Sequence, residues 1–286
     1  FFFFHTFLWV FLPWTVLGLV AYWQKAKEMI RSKFKYNSKN EFLTLGGITL
    51  IFVVISFAQF KLPHYLNIVM PLFAVITAAY LYGLHEAGTQ GIKKLLLGFQ
   101  YFILAIVFIA TLLICFYVFK TENYYKYIWI IVLGIFIIYY ALKREDYYYR
   151  IITISAISSV LLNGVLNTHF YPSLLEYQAG STMAKTIEKQ KISTDIIYKI
   201  SKNHSWGLDF YNQRPVKIVS KGQLADKKNI WVYVNDKELK ELKESGFDWD
   251  RQLTEKQFRI TRLQGRFLNP DTRKRVVKKM HLVHIY

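Results

Sequence analysis

The sequence predicts an α-helical polytopic membrane protein of about six spans, followed by a small extracytoplasmic α/β domain. Hydrophobic residues make up 53% of the chain, yet it carries 37 lysine and arginine residues against 19 acidic ones. These two properties are segregated, because apolar residues dominate up to about residue 170 and the remainder is polar and basic. We therefore divide the chain into a transmembrane domain, residues 1–170, and an α/β domain, residues 171–286.

Six apolar segments of the first domain have the length that a bilayer requires, roughly 20 residues for each helix. Basic residues concentrate in the first, third and fifth connections, which the positive-inside bias places in the cytoplasm. The second connection and the α/β domain then lie outside. The chain opens within apolar sequence, so we expect it to be the C-terminal part of a larger helical bundle. The six segments are residues 4–22, 42–60, 65–84, 95–119, 127–142 and 151–168.

The polar part alternates helix and strand patterns, which predicts a small α/β domain. An amphipathic helix is expected over residues 174–191. A second helix is expected over residues 237–244, with Asn235 or Asp236 as its N-cap. Short runs rich in β-branched and aromatic residues predict strands. These strands are residues 195–200, 208–211, 216–219, 229–234, 258–263 and 276–286.

The most informative motif is the second connection, which contains Lys61 and His64 between two apolar runs. Pro63 suits the first position of a helix, so the third span is expected to begin there with its N-terminus facing outward. Free backbone N–H groups beside two basic side chains would form an anion pocket at the depth of lipid phosphates. Alternatively, Lys61 simply extends to the interface and His64 contacts headgroups.

A groove for a lipid tail is predicted next to this motif. Pro71 has no N–H to donate to the carbonyl of Asn67, so a helix kink is expected one turn into the third span. We therefore assign Lys61, His64 and Tyr65 to donor phosphate and lipid binding. The groove itself would be shaped by Pro63, Asn67 and Pro71.

The motif resembles the signature of bacterial membrane glycosyltransferases related to dolichyl-phosphate-mannose protein mannosyltransferases and to the aminoarabinose transferase of lipid A. The match continues through Ala74, Ala78 and Ala79, and residues 5–14 resemble the span that precedes the signature in that family. Residues 258–263 and 267–270 resemble the terminal stretch of Bacteroidetes-type members. This sequence departs from the family signature at one point. The signature has a second proline a few residues after the tyrosine, where this chain has Asn67-Ile68-Val69, so Pro71 is the residue that matches that proline.

The resemblance implies an enzyme, part of a glycosyltransferase that moves a sugar from a polyprenyl-phosphate donor to a periplasmic acceptor. It also implies a multi-pass protein of the bacterial inner membrane, with its C-terminal domain in the periplasm. The acceptor would be lipid A, a protein or another glycan. In this family the catalytic acidic residue lies in the first outer loop, which is expected upstream of this chain. Catalytic residues therefore stay unassigned here.

Two further polar groups are candidates for other roles. Tyr211 and Arg214 are expected to lie in a strand-turn-strand that faces the acceptor, and an ordinary turn explains them at least as well. His281 and His284 are expected to point to opposite faces of a strand, so we assign no metal site. The resemblance leaves a divalent metal open as a cofactor. The sequence contains no nucleic-acid-binding motif, so the predicted partners are the membrane, a lipid-linked sugar and an acceptor.

Two non-enzymatic interpretations compete with the transferase. The first is a membrane-anchored scaffold or sensor whose outer domain binds a periplasmic partner. The second is a transporter segment, which the scarcity of charged residues within the spans disfavours.

Overall fold

The computed structural model describes residues 2–35, 42–87, 90–120, 124–143, 146–202 and 205–286. The chain divides into two compact units. The first comprises Phe1–Leu112 and Glu122–Gly164, and the second comprises Leu113–Thr121 and Val165–Tyr286. The second unit therefore contains the C-terminal ends of two apolar helices in addition to the α/β domain.

The first unit is helical in its described part. A 3₁₀ helix, Pro63–Ile68, separates the third and fourth α-helices, and π-helical turns at Ile114–Val118 and Leu166–Phe170 extend the fifth and seventh into the second unit. The α-helices are α1 (Phe2–Val10), α2 (Thr15–Arg31), α3 (Phe42–Phe57), α4 (Met70–Ala87), α5 (Gln90–Leu113), α6 (Tyr124–Leu142) and α7 (Tyr147–Val165).

The prediction of a six-span polytopic fold was wrong. Among the described residues, two helices are long and apolar enough to cross a membrane, Gly91–Val118 and Tyr147–Leu175. The length of an apolar segment does not reveal whether the helix within it is interrupted. The run 4–22 is divided between α1 and α2 by a turn that contains Pro13, and the run 65–84 is divided between the 3₁₀ helix and α4.

The other helices lack the length or the apolar character that a membrane span needs, for different reasons. Helix α3 has 16 residues, or about 24 Å at 1.5 Å per residue, which is shorter than a hydrocarbon core of about 30 Å. Within α6, the apolar stretch Tyr127–Leu142 is also short. Helix α4 ends in the polar pair His85 and Glu86.

Aromatic side chains pack together within the otherwise aliphatic core of the first unit. The rings of Phe7 and Phe73 lie 4.3 Å apart, centroid to centroid, and Phe11 and Phe52 pack around them. Tyr65 stacks on Phe3 at 6.3 Å. This core holds α1, α3 and α4 together, so it fixes the backbone on both sides of the Lys61 motif.

The second unit is built on a five-stranded mixed sheet in the order β2-β1-β3-β5-β4. Strand β1 is parallel to β2 and β3, whereas β5 is antiparallel to β3 and β4. The strands are β1 (Ile197–Lys199), β2 (Lys217–Ile218), β3 (Ile230–Asn235), β4 (Arg251–Gln257) and β5 (Lys278–Ile285). The helices are α8 (Tyr171–Leu175), α9 (Ala179–Lys189), α10 (Trp206–Tyr211), α11 (Lys221–Ala225), α12 (Asp236–Glu244), α13 (Gly265–Leu268) and α14 (Pro270–Arg273).

The strands with strong local patterns are where the sequence places them. Strand β3 covers the run 229–234, and β5 lies within 276–286. Asn235 caps α12, accepting hydrogen bonds from the backbone N–H groups of Lys237 and Glu238. The expected helix over 174–191 is instead two helices, because the chain turns between Leu175 and Ala179.

Two predicted strands were wrong. Residues 208–211 belong to helix α10, and residues 258–263 form a loop that follows the strand β4. The loop replaces a strand because the ring of Phe258 leaves the sheet and stacks on Phe267 at 4.0 Å.

Arg273 organises the end of the second unit. Its guanidinium donates hydrogen bonds to the carbonyl oxygens of Phe267 and Leu268, and also to that of Val118 at the end of the first candidate span. It also lies 4.5 Å from the ring centroid of Phe119. A planar guanidinium can serve several carbonyls and a ring face at once, which an ammonium cannot.

We expect Arg273→Met to lower the free energy of unfolding by about 2–3 kcal/mol, because several carbonyl groups lose a charged donor. Arg273→Lys should restore only part of this loss. Lys274→Met is the matched control, since Lys274 is exposed and surface substitutions change stability by about 0.5 kcal/mol or less. Thermal unfolding of the full chain in detergent measures all three. Equal stability of the Arg273 and Lys274 variants would contradict this role.

Candidate functional site

The Lys61 motif is exposed at the start of a helical turn. Leu62 has extended backbone angles, with φ −111° and ψ 133°, and Pro63 occupies the first turn of the 3₁₀ helix. The residues that fix this turn are Leu66 and Val69, both fully buried. Pro63 therefore begins a helix as predicted, although a 3₁₀ helix of six residues takes the place of the expected α-helix.

The two basic side chains lie among exposed apolar ones. Lys61 and His64 are both exposed, and His64 contacts only the edge of the Tyr65 ring among the aromatic side chains described, at 5.0 Å. The neighbouring Phe60 is 79% exposed and Ile68 is 61% exposed. Exposed apolar side chains alternating with cations are typical of a surface where acyl chains meet charged headgroups.

The predicted helix kink at Pro71 was wrong. The interruption lies at Val69, between the 3₁₀ helix and α4, so Pro71 falls in the first turn of α4. A missing N–H has no cost there, because the first N–H groups of a helix lack intrahelical partners. Asn67 is exposed on the 3₁₀ helix.

An apolar cavity of about 270 Å³ lies farther along α4. Pro63, Asn67 and Pro71, predicted to shape a groove, do not line it. Small side chains leave the space open at Ala74 and Ala78, two residues of the sequence signature. The other lining residues are Phe11, Trp14, Thr77, Leu81, Tyr148 and Ile152.

The second unit contains a polar pocket of about 380 Å³. Lys199, 6% exposed, donates from Nζ to Ser205 Oγ at 3.1 Å, and the Ser205 hydroxyl donates to Asp209 Oδ1 at 3.0 Å. The Trp206 side chain, 72% exposed, and the buried Tyr233 also line the pocket. Burial raises the pKa of the Tyr233 hydroxyl, so this group stays neutral and can donate a hydrogen bond. The pocket suits a small molecule rich in hydroxyl groups.

The sequence did not identify this pocket. The one available signal was a lysine at the buried position of a β-like run, since Ile197 and Lys199 face the core while Tyr198 between them is half-buried. Ser205 and Asp209 carried no such signal, because their roles arise from contacts between α10 and β1.

Tyr211 and Arg214 do not line the polar pocket. Tyr211 ends α10 with its side chain 53% exposed, and Arg214 forms an ion pair with Asp195. The expected strand-turn-strand around them is a helix followed by a short connection.

The two histidines of β5 have separate partners. His281, 4% exposed, shares hydrogen bonds with Asp236 at 3.0 Å and with Thr254 at 2.9 Å. His284 contacts Asp250 at 2.6 Å. Within the described residues, no group of three or more histidine, cysteine or acidic side chains is arranged to hold a metal ion.

In comparisons with protein-family models, curated proteins and solved structures, no match to the chain was found.

The Asp236–His281 contact predicts an acid dependence of stability. The hydrogen bond from His281 lowers the pKa of Asp236 below its ordinary value of 3.8. A lowered pKa contributes stability that is present above the ordinary value and is lost as pH falls toward the folded-state pKa. Stability should therefore decline below about pH 4, and the decline should be smaller in Asp236→Asn.

Unfolding of the full chain between pH 5 and pH 2.5 measures this difference. Asp248→Asn is the control, since Asp248 is exposed and should leave the acid dependence unchanged. Identical pH profiles for wild type and Asp236→Asn would contradict the prediction.

Proposed function

We propose that the chain is part of an integral-membrane glycosyltransferase that moves a sugar from a polyprenyl-phosphate donor to an acceptor outside the cytoplasm. The observation that carries the proposal is the exposed Lys61 and His64 amid exposed Phe60 and Ile68. A donor of this class has the same two parts, an anionic phosphate and an apolar chain. The sequence resemblance adds the reaction type.

The phosphate would be held by Lys61 and His64. A lysine ammonium stabilises the charge that develops on a phosphate leaving group, and an imidazole ring adds a hydrogen-bond donor. Tyr65 would keep the pair in place, because its ring is stacked on Phe3 and touches His64.

The cavity beside α4 supports an isoprenoid partner. Its walls are apolar apart from the Thr77 and Tyr148 hydroxyls and the Trp14 N–H, and they include α4 residues that follow the Lys61 motif in the chain. Branched isoprene units gain from burial against such surfaces through the same apolar transfer free energy that stabilises protein cores.

In the part of the chain that the structure describes, two helices are long and apolar enough to cross a membrane, which supports membrane association. We place the chain in the bacterial inner membrane, with several crossings and with the α/β domain in the periplasm. The C-terminal ends of both spans meet, since His169 contacts the carbonyl of Phe119 at 2.6 Å.

The acceptor side is assigned to the polar pocket of the second unit in preference to Tyr211 and Arg214. Its hydroxyl, amide and ammonium groups match the hydrogen-bonding pattern of a glycan, and Trp206 offers an aromatic face of the kind that packs on sugar rings. The same pocket would be the binding site if the chain were instead a membrane-anchored sensor.

Donor recognition is tested by measuring the affinity of the full chain for a polyprenyl phosphate and for the uncharged polyprenol. The phosphate should bind more tightly, and Lys61→Ala should weaken phosphate binding about tenfold, because a charged hydrogen bond contributes about 1.5–3 kcal/mol. Binding of the polyprenol should be unchanged by the substitution.

Lys243→Ala is the matched control, since Lys243 is an exposed lysine on α12. Equal binding of phosphate and alcohol by wild type, or equal binding of phosphate by the Lys61 and Lys243 variants, would contradict the proposed site. Transfer of sugar by the intact enzyme that survives Lys61→Ala would contradict the role in the reaction.

A further inference from the structure

A strongly basic segment connects β4 to β5 in the second unit. Residues 259–275, called here the basic segment, contain six lysine and arginine residues and a single acidic residue, Asp271. Arg273 lies half-buried within it. The other five cations are exposed, and none of them forms an ion pair in the part of the chain that the structure describes; they are Arg259, Arg262, Arg266, Lys274 and Arg275.

The basic segment has a fixed conformation. Phe267 at its centre is fully buried against Phe258 and Tyr177. The Thr272 hydroxyl donates to the carbonyl of Arg266 at 2.7 Å, and Asn269 caps α14. Five unpaired cations are therefore held on an ordered surface, at a cost in mutual repulsion that a partner of opposite charge would remove.

The segment is fastened to the end of a candidate span. Arg273 bonds the carbonyl of Val118, the last residue of Gly91–Val118. That helix has 28 residues, or about 42 Å at 1.5 Å per residue, which matches a bilayer of about 40–45 Å with its headgroups included. The exposed Lys94 near one end and the exposed Lys120 beyond the other are placed as cations at two membrane interfaces would be.

We propose that the basic segment binds the anionic headgroups of the membrane that the two candidate spans enter. The length of the helix places Val118 at headgroup depth, and the exposed Lys274 and Arg275 directly follow the arginine that bonds it. Clusters of four to eight cations beside a membrane helix attract anionic lipids, and the attraction acts within about 10 Å. Leu263, 41% exposed between Arg262 and Arg266, adds an apolar contact. The inference does not depend on the proposed transferase activity.

The test uses the full chain reconstituted in phosphatidylcholine vesicles with spin-labelled lipids. The ratio of association constants, phosphatidylglycerol over phosphatidylcholine, reports preference for anionic headgroups at the protein surface. We expect this ratio to fall about threefold or more when Arg262, Arg266, Lys274 and Arg275 are all changed to Gln. The preference of the wild type should also weaken at high salt, because exposed charges are screened.

A charge-matched control separates local binding from net charge. Changing Lys185, Lys189, Lys191 and Lys228 to Gln removes four exposed cations elsewhere in the unit and should leave the ratio nearly unchanged. Changing Arg262, Arg266 and Arg275 to Lys keeps the charge and should preserve the ratio, which separates the loss of charge from the loss of the arginine side chains. An unchanged ratio in the first variant, or an equal fall in the control, would overturn the proposal.

Discussion

The interaction on which the second unit depends is the hydrogen bond from Arg273 to the Val118 carbonyl, together with the stacking of its guanidinium on Phe119. Helix carbonyls near a C-terminus lack intrahelical donors, so each needs a partner from elsewhere. Here that partner comes from the α/β domain, 155 positions later in the chain. His169 satisfies the next carbonyl, that of Phe119, from the second candidate span. The ends of both spans are therefore fixed by the folded domain that follows them.

Both units contain exposed cations beside exposed apolar side chains. Around Lys61 and around Arg262, exposed cations stand next to exposed apolar side chains, Phe60 in one case and Leu263 in the other. Water solvates the cations but leaves the apolar side chains unfavourably exposed, whereas the boundary between acyl chains and headgroups suits both. Part of the formal charge of +18 is therefore concentrated beside exposed apolar side chains.

Local patterns were predictable and contacts between distant residues were not. Strand β3 and the Asn235 cap followed from residues within a few positions of one another. Strand β4 was not predicted from the sequence. Its residues are mostly polar, and it is a strand because it pairs with β5, which lies more than 20 positions later in the chain. The start of a helix at Pro63 was predictable from the proline itself, but the position of the helix break was not, since Val69 is fixed by burial in the core of the first unit. Of the Lys199–Ser205–Asp209 chain, only Lys199 left a signal in the sequence, as a lysine at a buried position of a β-like run.

The most direct test of the account is the depth of the basic segment in the membrane. A nitroxide at Arg266→Cys, in a Cys115→Ala background that removes the single native cysteine, is compared with one at Lys189→Cys on α9. Collision rates with oxygen and with a water-soluble nickel complex report the depth of each label in reconstituted vesicles. We predict headgroup depth for the label at position 266 and an aqueous position for the label at 189. Identical aqueous readings at both positions would contradict the account.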